Sequence, residues 1–410
     1  MINQRTGAAP TAAVGAAGAT AVDHKGLHKE VFYSPATEDM IAARKELCEL
    51  SFARARERIH RVKRVREDDE LQAEEDRGVA SLYLTCREMT LNSSQFGDER
   101  PLTTVGYAAS GGVLATGSLS CGVKVWSASD LSCMSSLRGH EDRITSLSWH
   151  PESDLSEGKA LLASTSGDSS CKIWDCNGLS PGSGGSTAMA VDGENNKSAP
   201  TIHTLKGHQG VVNCCEFHPS GKYIGTASSD YSWRLWDVET GKELLLQDGH
   251  IKECNTIAFQ QDGALVLTAD WAGVALLWDL RSGQEIHVFQ GHVKKITSAS
   301  FNANGFQVAT GSVDNMVRIW DLRKKKCGYT LPAHSNCISE VRFSRSGEML
   351  VTSSFDGTLK VWGARDYQLL RSLSGHLGKV MSCDFSADER HVVSVGYDRT
   401  VKIWAHKSEF

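Results

Sequence analysis

The sequence has little proline, 8 residues in 410, and few aromatics, 7% of the chain. No run of about 18 apolar residues occurs, so a helical bilayer span is excluded and no membrane association is expected. Charge of one sign is also missing: 44 Lys and Arg face 49 Asp and Glu, a formal net charge of −5. That balance excludes coating of nucleic acid through a global positive field and leaves only local basic patches. The 12 cysteines include no C-x2-C pair. Cys171 and Cys176 have no partner pair at ligand spacing, and Cys214 and Cys215 stand side by side. Neither a metal site nor a dense disulfide framework is therefore expected, and reduced thiols point to cytosol or nucleus. Two residue types are plentiful: 38 glycines, and 10 tryptophans in a chain otherwise poor in aromatics.

The tryptophans are periodic. Trp236, Trp278, Trp320, Trp362 and Trp404 follow one another at intervals of 42 residues, and Trp126 and Trp174 join the series once two insertions are allowed. Four of the seven precede Asp, as in Trp236-Asp237. A second marker lies 28 residues before the Trp, at His208, His250, His292, His334 and His376, each preceded by Gly or Ala. His140 lies 34 before Trp174, and Asp98 occupies the offset in the first unit. Between markers, short alternating segments such as Val211 to Phe217 and Tyr223 to Ala227 are separated by turn residues such as His218-Pro219-Ser220-Gly221. Four short strands per period is the pattern of a propeller blade. The period and the Gly-His and Trp-Asp markers resemble WD40 repeats, which implies an all-β, seven-bladed β-propeller. Only six residues follow Trp404, too few for a fourth strand, so Thr90 to Gln95 is expected to supply it and close the ring.

A hydroxyl stands 10 residues before each Trp and an Asp 6 before it in five units. The recurring sets are His140, Ser164, Asp168 and Trp174; His208, Thr226, Asp230 and Trp236; His292, Thr310, Asp314 and Trp320; His334, Thr352, Asp356 and Trp362; and His376, Ser394, Asp398 and Trp404. Ser, His and Asp together evoke a catalytic triad, but a catalytic site is needed once, and repetition around a ring suits a structural tetrad that orients His. No catalytic residue and no cofactor are expected. The first unit, with Asp98 and Ser120, and the fourth, with Ala272 where Asp is usual and Asp270 two residues early, should be less well stapled. Asp270 is the one irregular acid a propeller hydrolase would have to use.

Three regions are expected: an Ala/Gly-rich disordered tail over 1–37, a charged helical arm over 38–88, and the propeller over 89–410 with insertion loops at 152–159 and 177–200. Within the arm, the segment from Glu38 to Arg77 reads as helix, with a basic half followed by an acidic one. Arg54, Arg58, Arg61, Lys63 and Arg64 of the basic half are candidate contacts to RNA phosphate or an acidic partner; the alternative is a solvated helix with internal ion pairs. Arg143, Lys252, Lys294, Lys295 and Lys379 follow the Gly-His markers and give that face a basic lean, suited to an acidic protein segment or an RNA backbone, or to a plain polar rim.

Some segments are less generic. Asn92 to Pro101, Ser229 to Asp237 and Tyr329 to His334, with the helix Leu47 to Arg66, resemble the pre-mRNA-processing factor 4 family, the WD40 subunit of the U4/U6 small nuclear ribonucleoprotein. That resemblance spans about residues 45 to 410. It implies a nuclear, non-enzymatic scaffold of the U4/U6·U5 tri-snRNP that binds a pre-mRNA-processing factor 3-like protein and associates, directly or indirectly, with U4/U6 snRNA during spliceosome assembly. The family's upstream splicing-factor motif and cyclophilin-recruiting segment have no counterpart in the short tail, which leaves cyclophilin recruitment doubtful. The alternative is a substrate-recognition or chromatin-binding adaptor in another complex.

Overall fold

The computed structural model describes residues 37–154, 160–177 and 200–407. The expected tail, Thr37 apart, and most of both expected insertion loops lie outside the described residues. The remainder forms seven four-stranded antiparallel sheets, and the chain is a seven-bladed β-propeller with two helices ahead of it. Blades 1 to 6 cover residues 102–137, 144–206, 212–248, 254–290, 296–332 and 338–374. Blade 7 takes three strands from residues 380–406 and its outer strand, β1 (Met89–Phe96), from the other end of the chain. β1 pairs antiparallel with Thr400–His406, from Met89 opposite His406 to Phe96 opposite Thr400, so the closing strand is the one the Trp register anticipates. Closure covers the edge that Thr400–His406 would otherwise expose and gives blade 7 the same four strands as its neighbours.

First strands lie innermost, each touching the first strands of both neighbours in a complete cycle. Their period-two alternation sends Val105, Ile257, Val341 and their equivalents into the contacts between blades. The first strand of every blade carries a bulge after its first residue, which turns the unpaired second residue toward the neighbour. In six blades that residue is polar and donates to the carbonyl that opens the next blade. Thr103 reaches Ile144 O (2.8 Å), Thr145 Val212 O (2.5 Å), Asn213 Cys254 O (2.8 Å), Asn255 Ile296 O (3.1 Å), Thr297 Ile338 O (2.9 Å) and Ser339 Val380 O (2.8 Å). Blade 7 has Met381 at this position, so the stitch is missing at the seam. That junction keeps two bonds of a kind that also joins blades 5 and 6: Val105 N–H donates to Ser382 Oγ (3.1 Å) and Tyr107 N–H to Asp384 Oδ2 (2.8 Å). Turns between the first two strands also interlock. Gly221 adopts φ 78°, and a Cβ there would fall 2.1 Å from His150 Nε2 of the preceding blade.

The arm is two helices where the sequence reads as one. α1 (Glu38–Glu67) begins at Thr37, whose hydroxyl accepts from Met40 N–H. Asp68 then leaves helical geometry (φ −120°, ψ 106°), and its carboxylate caps α2 (Asp69–Arg87) by accepting from the N–H groups of Glu70 and Leu71. An aspartate that competes for backbone donors thus ends one helix and starts the other. Met40, Ala43 and Leu47 are buried in a cluster with Tyr223, Leu245 and Leu280 of blades 3 and 4. Burying Met40 and Leu47 fully contributes about 1.5–3 kcal/mol each. α2 runs back to blade 6, where the Tyr83 hydroxyl donates to Glu348 O (3.1 Å), and Cys86 and Met89 enter the core of blades 6 and 7. Burial pushes the Cys86 thiol up to about 12, so it stays protonated at neutral pH.

Candidate partner-binding faces

The recurring polar sets form directional relays. In blade 5, Trp320 Nε1–H donates to Thr310 Oγ1 (2.8 Å), Thr310 Oγ1 meets His292 Nε2 (2.8 Å), and His292 Nδ1 meets Asp314 Oδ2 (2.8 Å). The carboxylate only accepts, so the proton sits on Nδ1 and Nε2 accepts from the hydroxyl. Blades 2, 3, 6 and 7 repeat this through His140, Ser164, Asp168 and Trp174; His208, Thr226, Asp230 and Trp236; His334, Thr352, Asp356 and Trp362; and His376, Ser394, Asp398 and Trp404. Burial holds His140, His334 and His376 below the usual histidine value, against the pull of their aspartates. Burial alone would raise Asp168, but hydrogen bonds from Ser170, His140 and the Glu141 N–H bring it down to about 2. Ser164 and Ser394 satisfy the connectivity of a triad, yet both are fully buried and hold an indole N–H, which leaves no room for a substrate carbonyl.

Two blades depart from the pattern, blade 1 as its sequence implies and blade 4 less than its sequence implies. In blade 4, Asp270 stands two residues early yet still meets His250 Nδ1 at 3.3 Å, while His250 Nε2 and Trp278 Nε1 converge on Thr268 at 2.7 and 2.8 Å. Its other oxygen accepts from the Ala272 and Val274 N–H groups, so this acid spans the turn and the blade is stapled after all. Asp270 is 2% exposed and engaged on both oxygens, which removes it as a hydrolytic residue. Blade 1 has no histidine in its relay. Trp126 donates to Thr116 (2.8 Å), and Ser120 donates separately to Asp98, which Lys124 also approaches at 3.4 Å.

The Gly-His loops share one face with the turns between second and third strands. Arg143, Lys252, Lys294 and Lys379 are exposed there, and Lys295 is half-buried. Lys295 Nζ lies 4.2 Å from the Trp271 ring centroid and Lys379 Nζ 4.9 Å from that of Phe355, each bridging one blade to the previous one. Tyr231, Trp271 and Tyr397 expose 48%, 44% and 53% of their surface on the same turns. Tyr231 does so at φ 70°, a strained conformation for an aromatic residue. This aromatic and cationic arc over blades 3 to 7 was not apparent from the sequence, although Trp271, Phe355 and Tyr397 all stand seven residues before a period Trp. The other two tryptophans outside the period are buried, Trp149 on the first strand of blade 2 and Trp233 beside Trp278.

The arm covers the opposite face. Arg54 donates to Pro219 O (3.1 Å) and Gln261 O (3.4 Å) in the turns of blades 3 and 4. Arg58 forks onto Asp262 (2.6 Å at the closest pair) and reaches Asn304 O (2.9 Å). These two arginines, read from the sequence as partner contacts, instead hold α1 to the propeller. Arg61 is exposed and pairs with Glu75 of α2 at 3.4 Å, while Lys63 and Arg64 remain exposed. Around the axis, burial pushes Glu216 up to about 7 and Asp384 up to about 6, with the Arg342 cation opposing in both cases. No group of three His, Cys, Asp or Glu side chains among the described residues could hold a metal ion.

A model of the WD domain, G-beta repeat, matches residues 131–175, 199–237, 241–279, 283–321, 325–363 and 367–405. The chain belongs to the WD40 repeat family. Among WD40 proteins it is 33% identical over 228 residues to the U4/U6 small nuclear ribonucleoprotein PRP4 of Saccharomyces cerevisiae, covering 54% of this chain and 43% of that protein. It is 38% identical over 148 residues to a U4/U6 small nuclear ribonucleoprotein PRP4-like protein of Arabidopsis thaliana, 36% of this chain and 25% of that one. A guanine nucleotide-binding protein subunit beta of Arabidopsis thaliana is 26% identical over 159 residues, 32% of this chain and 41% of that protein. The chain thus spans less than half the length of each of these relatives. The two PRP4 matches support a PRP4-like WD40 protein, and WD40 propellers are typically binding platforms without catalysis.

Proposed function

We propose that this WD40 protein is a non-enzymatic scaffold of the U4/U6 particle and the U4/U6·U5 tri-snRNP, acting in the nucleus in spliceosome assembly. The similarity to the two PRP4 proteins carries this reading, and the face rimmed by the Gly-His loops supplies its contact surface. Lys252, Lys294, Lys295 and Lys379, set among exposed Trp271, Tyr231 and Tyr397, suit an acidic protein segment or an RNA backbone. The partners are a pre-mRNA-processing factor 3-like protein, other tri-snRNP proteins and U4/U6 snRNA, bound directly or through them.

Recovery of the tagged full chain from nuclear extract, followed by RNA sequencing, tests the assignment. Enrichment of U4 and U6 RNA is expected, and their absence defeats it. Cullin-adaptor or histone proteins in their place would favour a recognition adaptor. Reversing Lys252, Lys294 and Lys295 to Glu should reduce the recovered RNA while leaving melting within about 2 °C. A fall in melting that matches the loss of RNA would make these side chains structural.

A further inference from the structure

α1 has a second apolar side that the propeller does not cover. Its buried face, Met40, Ala43, Leu47 and Ser51, points into blades 3 and 4. About 100° around the helix, two other rows run at seven-residue spacing: Ile41, Cys48, Ala55 and Val62 in one, Phe52 and Ile59 in the other. Ile41, Phe52 and Ile59 are open to solvent, 47%, 62% and 48% exposed, while Val62, 44% exposed, borders the cleft between α1, α2 and the propeller turns. Rows spaced by three and four residues form the seam that receives a second helix. An apolar seam on a helix already anchored along its other side is not needed to hold the fold.

The charges beside the seam identify what would lie on it. Lys45 and Arg66 bracket Phe52 and Ile59 in their own row, and Arg56 and Lys63 flank it, with Glu49 the one acid in that outer position. From the propeller, the Arg281 guanidinium lies 5.3 Å from the Phe52 ring centroid, while Asp279 holds it in place. The corresponding turn of blade 5, on the same face, carries exposed Arg323, Lys324 and Lys325. We propose that this side of α1 is a docking surface for an amphipathic helix of another protein whose apolar heptad seam is flanked by Asp and Glu. The surface is independent of the Gly-His face, so failure of the U4/U6 assignment leaves it standing.

The test uses the full chain and two labelled helical peptides about three heptads long, sharing one Leu and Ala seam, one with Glu and the other with Lys at the flanks. By fluorescence anisotropy the Glu peptide should bind at least about tenfold more tightly than the Lys peptide. The double variant Phe52→Glu, Ile59→Glu should weaken the Glu peptide by about tenfold or more with unchanged melting, since both side chains are exposed. A single Arg281→Ala should weaken it less. Equal affinity for the two peptides, or affinity indifferent to the double variant, overturns the proposal. So does sedimentation of the protein alone as a dimer that Phe52→Glu dissolves, because the seam would then belong to a second copy of this chain.

Discussion

Thr310→Val removes one oxygen and adds a methyl group of nearly the same size, so it opens no cavity and isolates the hydrogen bonds. In blade 5 that oxygen accepts from Trp320 Nε1 and donates to His292 Nε2, both at 2.8 Å, at a residue with no exposed surface. Two buried polar groups lose their partner, at about 1–3 kcal/mol each, so the variant should be about 2–6 kcal/mol less stable. Thr116→Val in blade 1 provides the control. Thr116 is equally buried, but its oxygen serves only Trp126, and the cost should be about half. Urea unfolding followed by tryptophan fluorescence reads both variants, with the midpoint of each compared at constant slope. In a His292→Leu background, Thr310→Val should fall to the blade 1 cost, a coupling of about 1–3 kcal/mol. Equal costs in blades 1 and 5, or no coupling to His292, would refute the relay as the source of the stability.

Stability should fall as pH drops below about 6.5, the unperturbed histidine value. His140, His334 and His376 are held neutral by burial while the unfolded chain takes up protons, at up to about 1.4 kcal/mol per pH unit for each histidine. A melting temperature flat between pH 7 and pH 5 would contradict this. Glu216→Gln has the opposite sign: the wild-type carboxyl, raised to about 7, contributes fully below its ordinary 4.5 and loses that contribution as pH rises. The variant should therefore melt above wild type at pH 8 and match it below about pH 4.5, by scanning calorimetry. Arg58→Ala should speed amide exchange in α1 by about tenfold, as expected for loss of a bidentate pair of about 1–3 kcal/mol, with propeller strands unchanged by exchange mass spectrometry. Leu47→Ala should cost about 2–5 kcal/mol by the same urea assay, because the side chain is fully buried between arm and blades.

The ring was legible because one Trp per 42 residues fixes where every strand lies, and the shortage of residues after Trp404 points to the strand that closes it. Features set by spatial neighbours were harder to read. Asp270 differs from its counterparts by two positions, but a turn is short enough for a carboxylate to span, so spacing understates its reach. Arg54 and Arg58 lie in a basic run that reads as a partner surface. Only the geometry of α1 shows that they occupy its propeller side while Lys63 and Arg64 do not. Asp68 lies near the head of the acidic stretch, just past the basic one, and its capping competes with a helix pattern that lacks Pro and Gly. The blade-to-blade stitch did leave a signal: Thr103, Asn213, Asn255, Thr297 and Ser339 each stand 23 residues before a period Trp.

The seam also has a consequence for how the molecule is made. Met89 opposite His406 joins positions 317 residues apart, so no copy can close until nearly all of its described chain has left the ribosome. Until then β1 is unpaired, and Cys86 at the end of α2 and Met89 at the start of β1 have only blade 6 to rest against. Blades 1 to 6 can form in order, each stitched to the one before, while the lead strand waits. Ring closure is therefore a late step of folding, and until it happens β1 offers both of its edges to other strands.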